Sequence, residues 1–365
     1  MQFITDLVVG ALIAYISFTN SLAALIEPLL PGEEETELAT SAPVESEASS
    51  IISLPSLFDA ASIPDILRRS TAFQQAAVSD AVTASTYTDE PLEALVNIYC
   101  TFVTSEYIRT TTGTGFFVHS DGVILTNAHV AQFLLLGETD LLGEAECQIR
   151  QGNPAHTSYA AKLLYIPPAW VQENAAVIDA TVPTGTGERD YALLYVTESM
   201  TDEPLPARFP ALAVDTELLP LSTRGDAVVA AGYPATDLLE NGASAPLLPR
   251  LATTTISELY TFGSNYADVF SIRGSSVGAE GSSGGPIVNR DGKVIGMIVT
   301  RGDDAEDGEG SLRAITTSHI SRTIEEETGF SFAKNVSGEL NVRAAVFRET
   351  IAPFLLTLLT KELEN

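Results

Sequence analysis

At 365 residues, with 45% hydrophobic side chains, the chain is long enough for one large or two smaller packed domains. It carries 48 Asp and Glu against 19 Lys and Arg, and the net charge of -29 argues against nucleic-acid phosphates and anionic membrane surfaces as partners. That acidity serves solubility first, and secondarily favours basic polypeptides.

Between Asp6 and Glu27 lie the uncharged residues Leu7 to Ile26, long enough to cross a bilayer as a helix. Ser17, Thr19, Asn20 and Ser21 make the second half polar, and Ser21-Leu22-Ala23 resembles a small-residue cleavage site. Lys and Arg are absent from residues 1–6, unlike the usual signal or anchor flank. Residues 1–26 are therefore read as a signal peptide or membrane anchor, with 7–26 as the tether. That predicts an extracytoplasmic protein, secreted or membrane-anchored; the alternative is a core helix docked on the remainder of the chain.

Residues 27–90 read as an acidic linker rich in Ser, Ala and Pro. Within it, Ile66, Leu67, Phe73, Ala76, Ala77 and Val78 suit a short helix. From Leu92 onward, short apolar runs alternate with Gly, Pro, Asn and Asp, the texture of an all-β domain. Strands are predicted at 95–103, 114–118, 123–126, 192–196, 227–231, 286–288 and 294–300. Ser120-Asp121-Gly122 and Asn289-Arg290-Asp291-Gly292 are predicted hairpin turns. Helical spacing returns at 318–326 and again at 338–363, where Pro353 should kink or interrupt the helix.

Three segments of this β-rich region carry chemistry. Gly281-Ser282-Ser283-Gly284-Gly285-Pro286 sets a serine among glycines, Thr126-Asn127-Ala128-His129-Val130 supplies an imidazole, and Asp190 heads the apolar run Tyr191 to Val196. A serine hydroxyl becomes a useful nucleophile when an imidazole takes its proton and a carboxylate fixes that imidazole's tautomer. The predicted catalytic residues are His129, Asp190 and Ser283, with the backbone N–H groups of Gly281 and Ser283 as the oxyanion hole. Asp140 and Asp179 also lie between His129 and Ser283, but neither leads as cleanly into an apolar strand. Gly281 to Gly285 also fits the G-x-S-x-G elbow of α/β-hydrolases, which requires strand, turn, then helix; here a strand follows.

These motifs, with Gly115-Phe116-Phe117-Val118, Gly232-Tyr233-Pro234 and Ala314-Ile315, resemble trypsin-like serine proteases, nearest to the bacterial HtrA (Deg) branch. The resemblance covers about residues 92–328. It implies two six-stranded antiparallel β-barrels, at about 91–210 and 211–328, with the site between them. A helical tail over 329–365 would follow, too short for the branch's PDZ domain. The expected activity is that of a serine endopeptidase acting through an acyl-enzyme on polypeptide substrates; the alternative is a catalytically silent homologue serving as a binding scaffold. By the same resemblance Val277, Thr300, Arg301, Gly302 and Arg313 would border the substrate pocket, and Val277 at its base disfavours Lys or Arg selection. Ser282 stands where trypsin-like zymogens carry an acidic residue, so activation through a freed N-terminus is not expected. The 61-residue step from His129 to Asp190 implies an insertion around 154–189.

Cys100 and Cys147 are candidates for a single disulfide; in the implied fold their strands are neighbours in the first barrel. His119, His156 and His319 read as surface residues. No pair has metal-ligand spacing, so neither a metal nor another cofactor is expected. Asn335-Val336-Ser337 is a formal glycosylation sequon, and an oligomer is left open.

Overall fold

The computed structural model describes Gln75 and residues 82–103, 108–137, 144–179, 187–241, 245–263, 265–274, 276–301 and 311–363. The predicted signal or anchor segment and most of the linker lie outside the described residues. Among the described residues no helix is long and apolar enough to cross a membrane.

Among the described residues twelve strands close into two antiparallel barrels, as the family resemblance implies. The first contains β1 (Leu95–Val103), β2 (Ile108–His119), β3 (Val123–Thr126), β4 (Glu144–Gln151), β5 (His156–Tyr165) and β6 (Ala192–Ser199), paired in the order β1-β2-β3-β6-β5-β4. The second contains β7 (Ala227–Gly232), β8 (Arg250–Tyr260), β9 (Val269–Ile272), β10 (Pro286–Val288), β11 (Val294–Arg301) and β12 (Leu312–Thr316), paired β10-β11-β12-β9-β8-β7. Among the described residues each barrel is closed, β4 pairing with β1 and β10 with β7.

The first barrel closes where β4 meets β1. Cys100 and Cys147 sit directly opposite each other on that seam and are joined by a disulfide. In β4 the period-two residues Ala145, Cys147 and Ile149 pack against the core while Glu144 and Glu146 stay outside it. Strand β5 falls in the segment read as an insertion. The same segment also holds helix α3 (Pro168–Asn174) and a 3₁₀ turn at Ala175–Asp179.

Residues 82–90, assigned to the linker, are tied to the first barrel. Thr88 N–H donates to Ala211 O at 2.8 Å, and Ser120 N–H donates to Ser85 Oγ at 2.8 Å. The tail beyond the barrels folds as α5 (Thr317–Thr328), α6 (Phe332–Asn335), α7 (Leu340–Thr350) and α8 (Ala352–Leu363). The break between α7 and α8 falls at Ile351, two residues before Pro353. Phe332, Leu340, Phe347, Leu355 and Leu359 join the same apolar cluster as the first barrel's interior, so the tail extends that core.

Two expected surface histidines are buried. His119 retains 3% of its accessible area at the end of β2, and His319 retains 5% on α5. His319 Nδ1 lies 3.1 Å from Asp268 Oδ1, which compensates its burial. Both were misplaced because a turn or helix start in sequence says nothing about what packs over it. His156 is exposed, as expected.

Candidate active site

His129 is the second residue of α2 (Ala128–Leu136), the helix that follows β3. Asn127 stands at its N-cap, but the side chain makes no cap bond; Nδ2 donates instead to Asp190 O at 2.8 Å. The first-turn N–H of His129 therefore needs another acceptor. Asp190 Oδ1 accepts it at 3.0 Å, while Oδ2 lies 2.7 Å from His129 Nδ1. One carboxylate thus caps the helix and fixes the imidazole, and its negative charge suits a helix N-terminus. The Asp190 side chain is nearly buried and that of His129 largely so, at 7% and 10% exposure, which limits solvent screening of the pair.

Asp190 is itself held from both sides. Arg189 Nε lies 3.0 Å from Glu327 Oε1, and Tyr165 OH donates to Glu327 Oε2 at 2.6 Å. Thr323 Oγ1 donates to Tyr191 OH at 3.1 Å. Burial raises the pKa of Glu327 and of Tyr191 above their ordinary values by disfavouring the charged forms. None of these partners was singled out in the sequence. Nothing local in Arg189, Tyr191 or Glu327 predicts that α5 closes over the Asp190 turn.

The serine loop docks against β2 and the end of β3. Gly284 has φ +89°, and a Cβ there would lie 1.9 Å from Thr114 O and 2.6 Å from Thr126 Oγ1. Only glycine permits both the backbone angle and this approach. The contact sets the neighbour of Ser283 against the strand end that leads, three residues on, to His129. Ser283 Oγ donates to Val299 O at 3.4 Å. Gly281, also at positive φ, follows a peptide whose carbonyl, Glu280 O, accepts from Ala235 N–H at 2.7 Å. Ser282 is fully buried, and its hydroxyl has no partner among the described residues.

The predicted pocket residues are less coherent. Val277 has no exposed surface and packs among the apolar side chains of the second barrel, with Ile256 and Ile272 in the same cluster. Arg313 lies over the Tyr260 ring at 5.7 Å. The side chains of Thr300 and Arg301, and all of Gly302, lie outside the described residues. Among the described residues no group of His, Cys, Asp and Glu is arranged to hold a metal ion.

Comparison with known proteins adds the family. Residues 113–297, half of the chain, match the trypsin-like peptidase domain. Serine protease HTR4 of Rattus norvegicus is 28% identical over 195 residues, covering 53% of this chain and 30% of that protein. Serine protease HTRA4 of Mus musculus is 27% identical over 195 residues, covering 53% and 31%. The chain thus spans less than a third of the length of these curated relatives. Among solved structures, the active form of the Rv3671c protease from M. tuberculosis is similar at 18% identity and a TM-score of 0.38, covering 80% of this chain and 96% of that one. On the match over residues 113–297, the chain belongs to the trypsin-like peptidase family.

Proposed function

We propose that the chain is a serine endopeptidase in which Ser283 attacks a peptide carbonyl and His129 accepts its proton. Asp190 holds the imidazole in the tautomer whose free nitrogen is basic. The N–H groups of Gly281 and Ser283 stabilise the oxyanion. His129 then protonates the leaving amine, and water repeats the sequence on the acyl-enzyme. The observation that carries this reading is the double contact of Asp190 with His129, beside a serine loop pressed against the strand end that leads to that histidine.

The orientation of the Gly281 peptide supports the oxyanion role. Described peptide bonds other than Asn153-Pro154 are trans, so an N–H points opposite the carbonyl it is joined to. With Glu280 O turned to Ala235, the Gly281 N–H faces away from Ala235. Polypeptides follow as substrates. The Cys100–Cys147 bridge favours an oxidising, extracytoplasmic setting, in keeping with the predicted export segment.

One observation favours a second reading, a silent homologue that binds rather than cleaves: the Ser283 hydroxyl bonds to Val299 O. Reaction requires it to leave that carbonyl for the imidazole. A fluorophosphonate probe separates the two readings. Wild type should label at Ser283, while His129→Ala and Ser283→Ala should not; a folded wild type that never labels supports the scaffold.

A further inference from the structure

Thr114, on β2 of the first barrel, is fully buried, and its polar atoms serve the junction between the two barrels. Its N–H donates to Ser283 O at 2.7 Å. Its hydroxyl donates to Gly281 O at 2.6 Å and accepts the Tyr233 N–H at 2.9 Å. Its carbonyl accepts from Thr126 Oγ1 at 2.7 Å and is the atom against which Gly284 is pressed. Tyr233 and Ala235 belong to the segment after β7, so Thr114 joins three separate pieces of chain: the serine loop, that segment, and the strand leading to His129.

The hydroxyl has a particular consequence for Gly281. The peptide before Gly281 is held through Glu280 O on Ala235 N–H, and the peptide after it through Gly281 O on Thr114 Oγ1. Fixing both flanking planes leaves φ and ψ of Gly281 no freedom, although glycine is otherwise the most permissive residue. The direction of the Gly281 N–H is then set before any substrate arrives. Removing the hydroxyl strands two buried groups, Gly281 O and Tyr233 N–H, and frees the second plane to rotate. A β-branched residue on a strand also has a restricted χ1, which aims the hydroxyl with little loss of freedom.

We infer that Thr114 is a positioning residue whose hydroxyl, supplied by the first barrel, locks the oxyanion-hole peptide of the second barrel in its productive orientation. The inference rests on the serine-protease reading of the same site. It predicts a defect confined to the transition state, because the hydroxyl is bonded within the protein and the N–H it orients meets charge only when the substrate carbonyl is attacked and becomes an oxyanion.

The test uses the full chain, with Thr114→Val, Thr114→Ser and Thr114→Ala, and a fluorogenic peptide chosen from the wild type's own cleavage profile on a denatured proteome. Thr114→Val should lower kcat about 10- to 100-fold, short of complete loss of an oxyanion donor. KM should stay within about threefold, and the pH profile should keep its wild-type shape, since His129 and Asp190 are untouched. Thr114→Ser should recover kcat to within about fivefold of wild type, giving up only the χ1 restraint. An active wild type with an unaffected Thr114→Val, a loss in KM alone, or a Thr114→Ser as poor as Thr114→Val overturns the inference and leaves the protease reading standing. If Thr114→Val fails to fold, Thr114→Ala replaces it. Should neither fold where Thr114→Ser does, the hydroxyl serves folding alone and the inference falls. A wild type that neither labels nor cleaves overturns the protease reading itself, and this inference with it.

Discussion

The hydroxyl of Thr323 donates to the phenol oxygen of Tyr191 at 3.1 Å, tying the helix that ends the second barrel to the residue directly after Asp190. The residue directly before Asp190 meets the same helix, through Arg189 and Glu327. Arg189 has φ +55°, a left-handed conformation that costs a non-glycine residue about 1–3 kcal/mol. Contacts to α5 hold it there. Glu327→Gln keeps an acceptor for Tyr165 but removes the charge facing Arg189. With side chains 26% and 18% exposed, the pair lies between the surface and buried cases, so a loss of about 1–2 kcal/mol is expected. Because that strain releases next to Asp190, kcat should fall about 3- to 10-fold in parallel. Denaturant unfolding and peptide kinetics on one preparation check both; destabilisation with unchanged kcat would show that the clamp does not reach the carboxylate.

Asp190→Asn separates the two duties of that carboxylate. The amide oxygen can still accept the His129 N–H and cap α2. The amide nitrogen, facing Nδ1, presents a donor and forces the imidazole into the unproductive tautomer. The fold should therefore survive while kcat falls about 10⁴-fold, as in other triads. Thermal melting together with probe labelling decides it. Near-wild-type labelling would remove Asp190 from the catalytic set and return Asp140 and Asp179 to consideration.

Individual strands and the His129–Asp190 pair were legible because each rests on local pattern, and the two barrels followed from the family resemblance. Apolar runs with turn residues gave β3, β6 and β10, and His129, Asp190 and Ser283 stand within a few residues of their ends. Strand β5 was hidden, since His156 to Tyr165 mixes polar and apolar residues without alternation. The clamp on Asp190 and the role of Thr114 were invisible for a different reason. Thr114 and Ser283 are separated by most of two barrels in sequence, and a threonine on a strand carries no mark of the loop docked against it. His319 is a further case: only the packing of α5 over Asp268 explains its burial.

The disulfide sits on the closing seam of the first barrel, where it ties together residues 47 apart in sequence. In the chain-entropy account a loop of that length contributes about 3–4 kcal/mol. Replacing both cysteines by serine should cost that amount, measured as a lower free energy of unfolding in urea, with a steeper slope because the unlinked unfolded chain is more expanded. Wild type in strong reductant should approach the double variant. Coincident unfolding curves for wild type and the double variant would show that the barrel closes unaided.

Asn335 fits the glycosylation consensus, but the side chain is fully buried and its amide nitrogen donates to Thr328 Oγ1, Phe330 O and Ser331 O. Arg343 reaches its Oδ1 at 3.2 Å from the other side. A residue so enclosed in the fold should carry no glycan when the chain is expressed through a eukaryotic secretory route, and endoglycosidase treatment should leave its mass unchanged. Asn335→Asp should destabilise by about 2–3 kcal/mol, because both amide N–H donors are lost and a carboxylate oxygen is left facing the two backbone carbonyls. A glycan on Asn335 in folded protein would contradict this packing.

His319 gives the fold a dependence on pH. Burial lowers its ionisation below the ordinary 6.5, and the adjoining Asp268 only partly offsets this. Arg322, facing the same carboxylate, adds to the lowering; Glu188 opposes it, and Phe262 packs edge-on to the ring. Nε2 is buried with no partner among the described residues, so a second proton would have no acceptor. The native state thus binds fewer protons at this site than the unfolded chain. Stability from His319 is fully present above about pH 6.5 and is lost as pH falls through and below that value. His319→Asn keeps a donor within reach of Asp268 and removes the titration. Its melting temperature should be lower than wild type at pH 7.5, yet should fall less between pH 7.5 and 5. A difference in slope of about 2 °C or more corresponds to ~1 kcal/mol in a domain of this size. Parallel curves would mean that His319 accepts its proton without penalty, and that the acid sensitivity of the fold resides elsewhere.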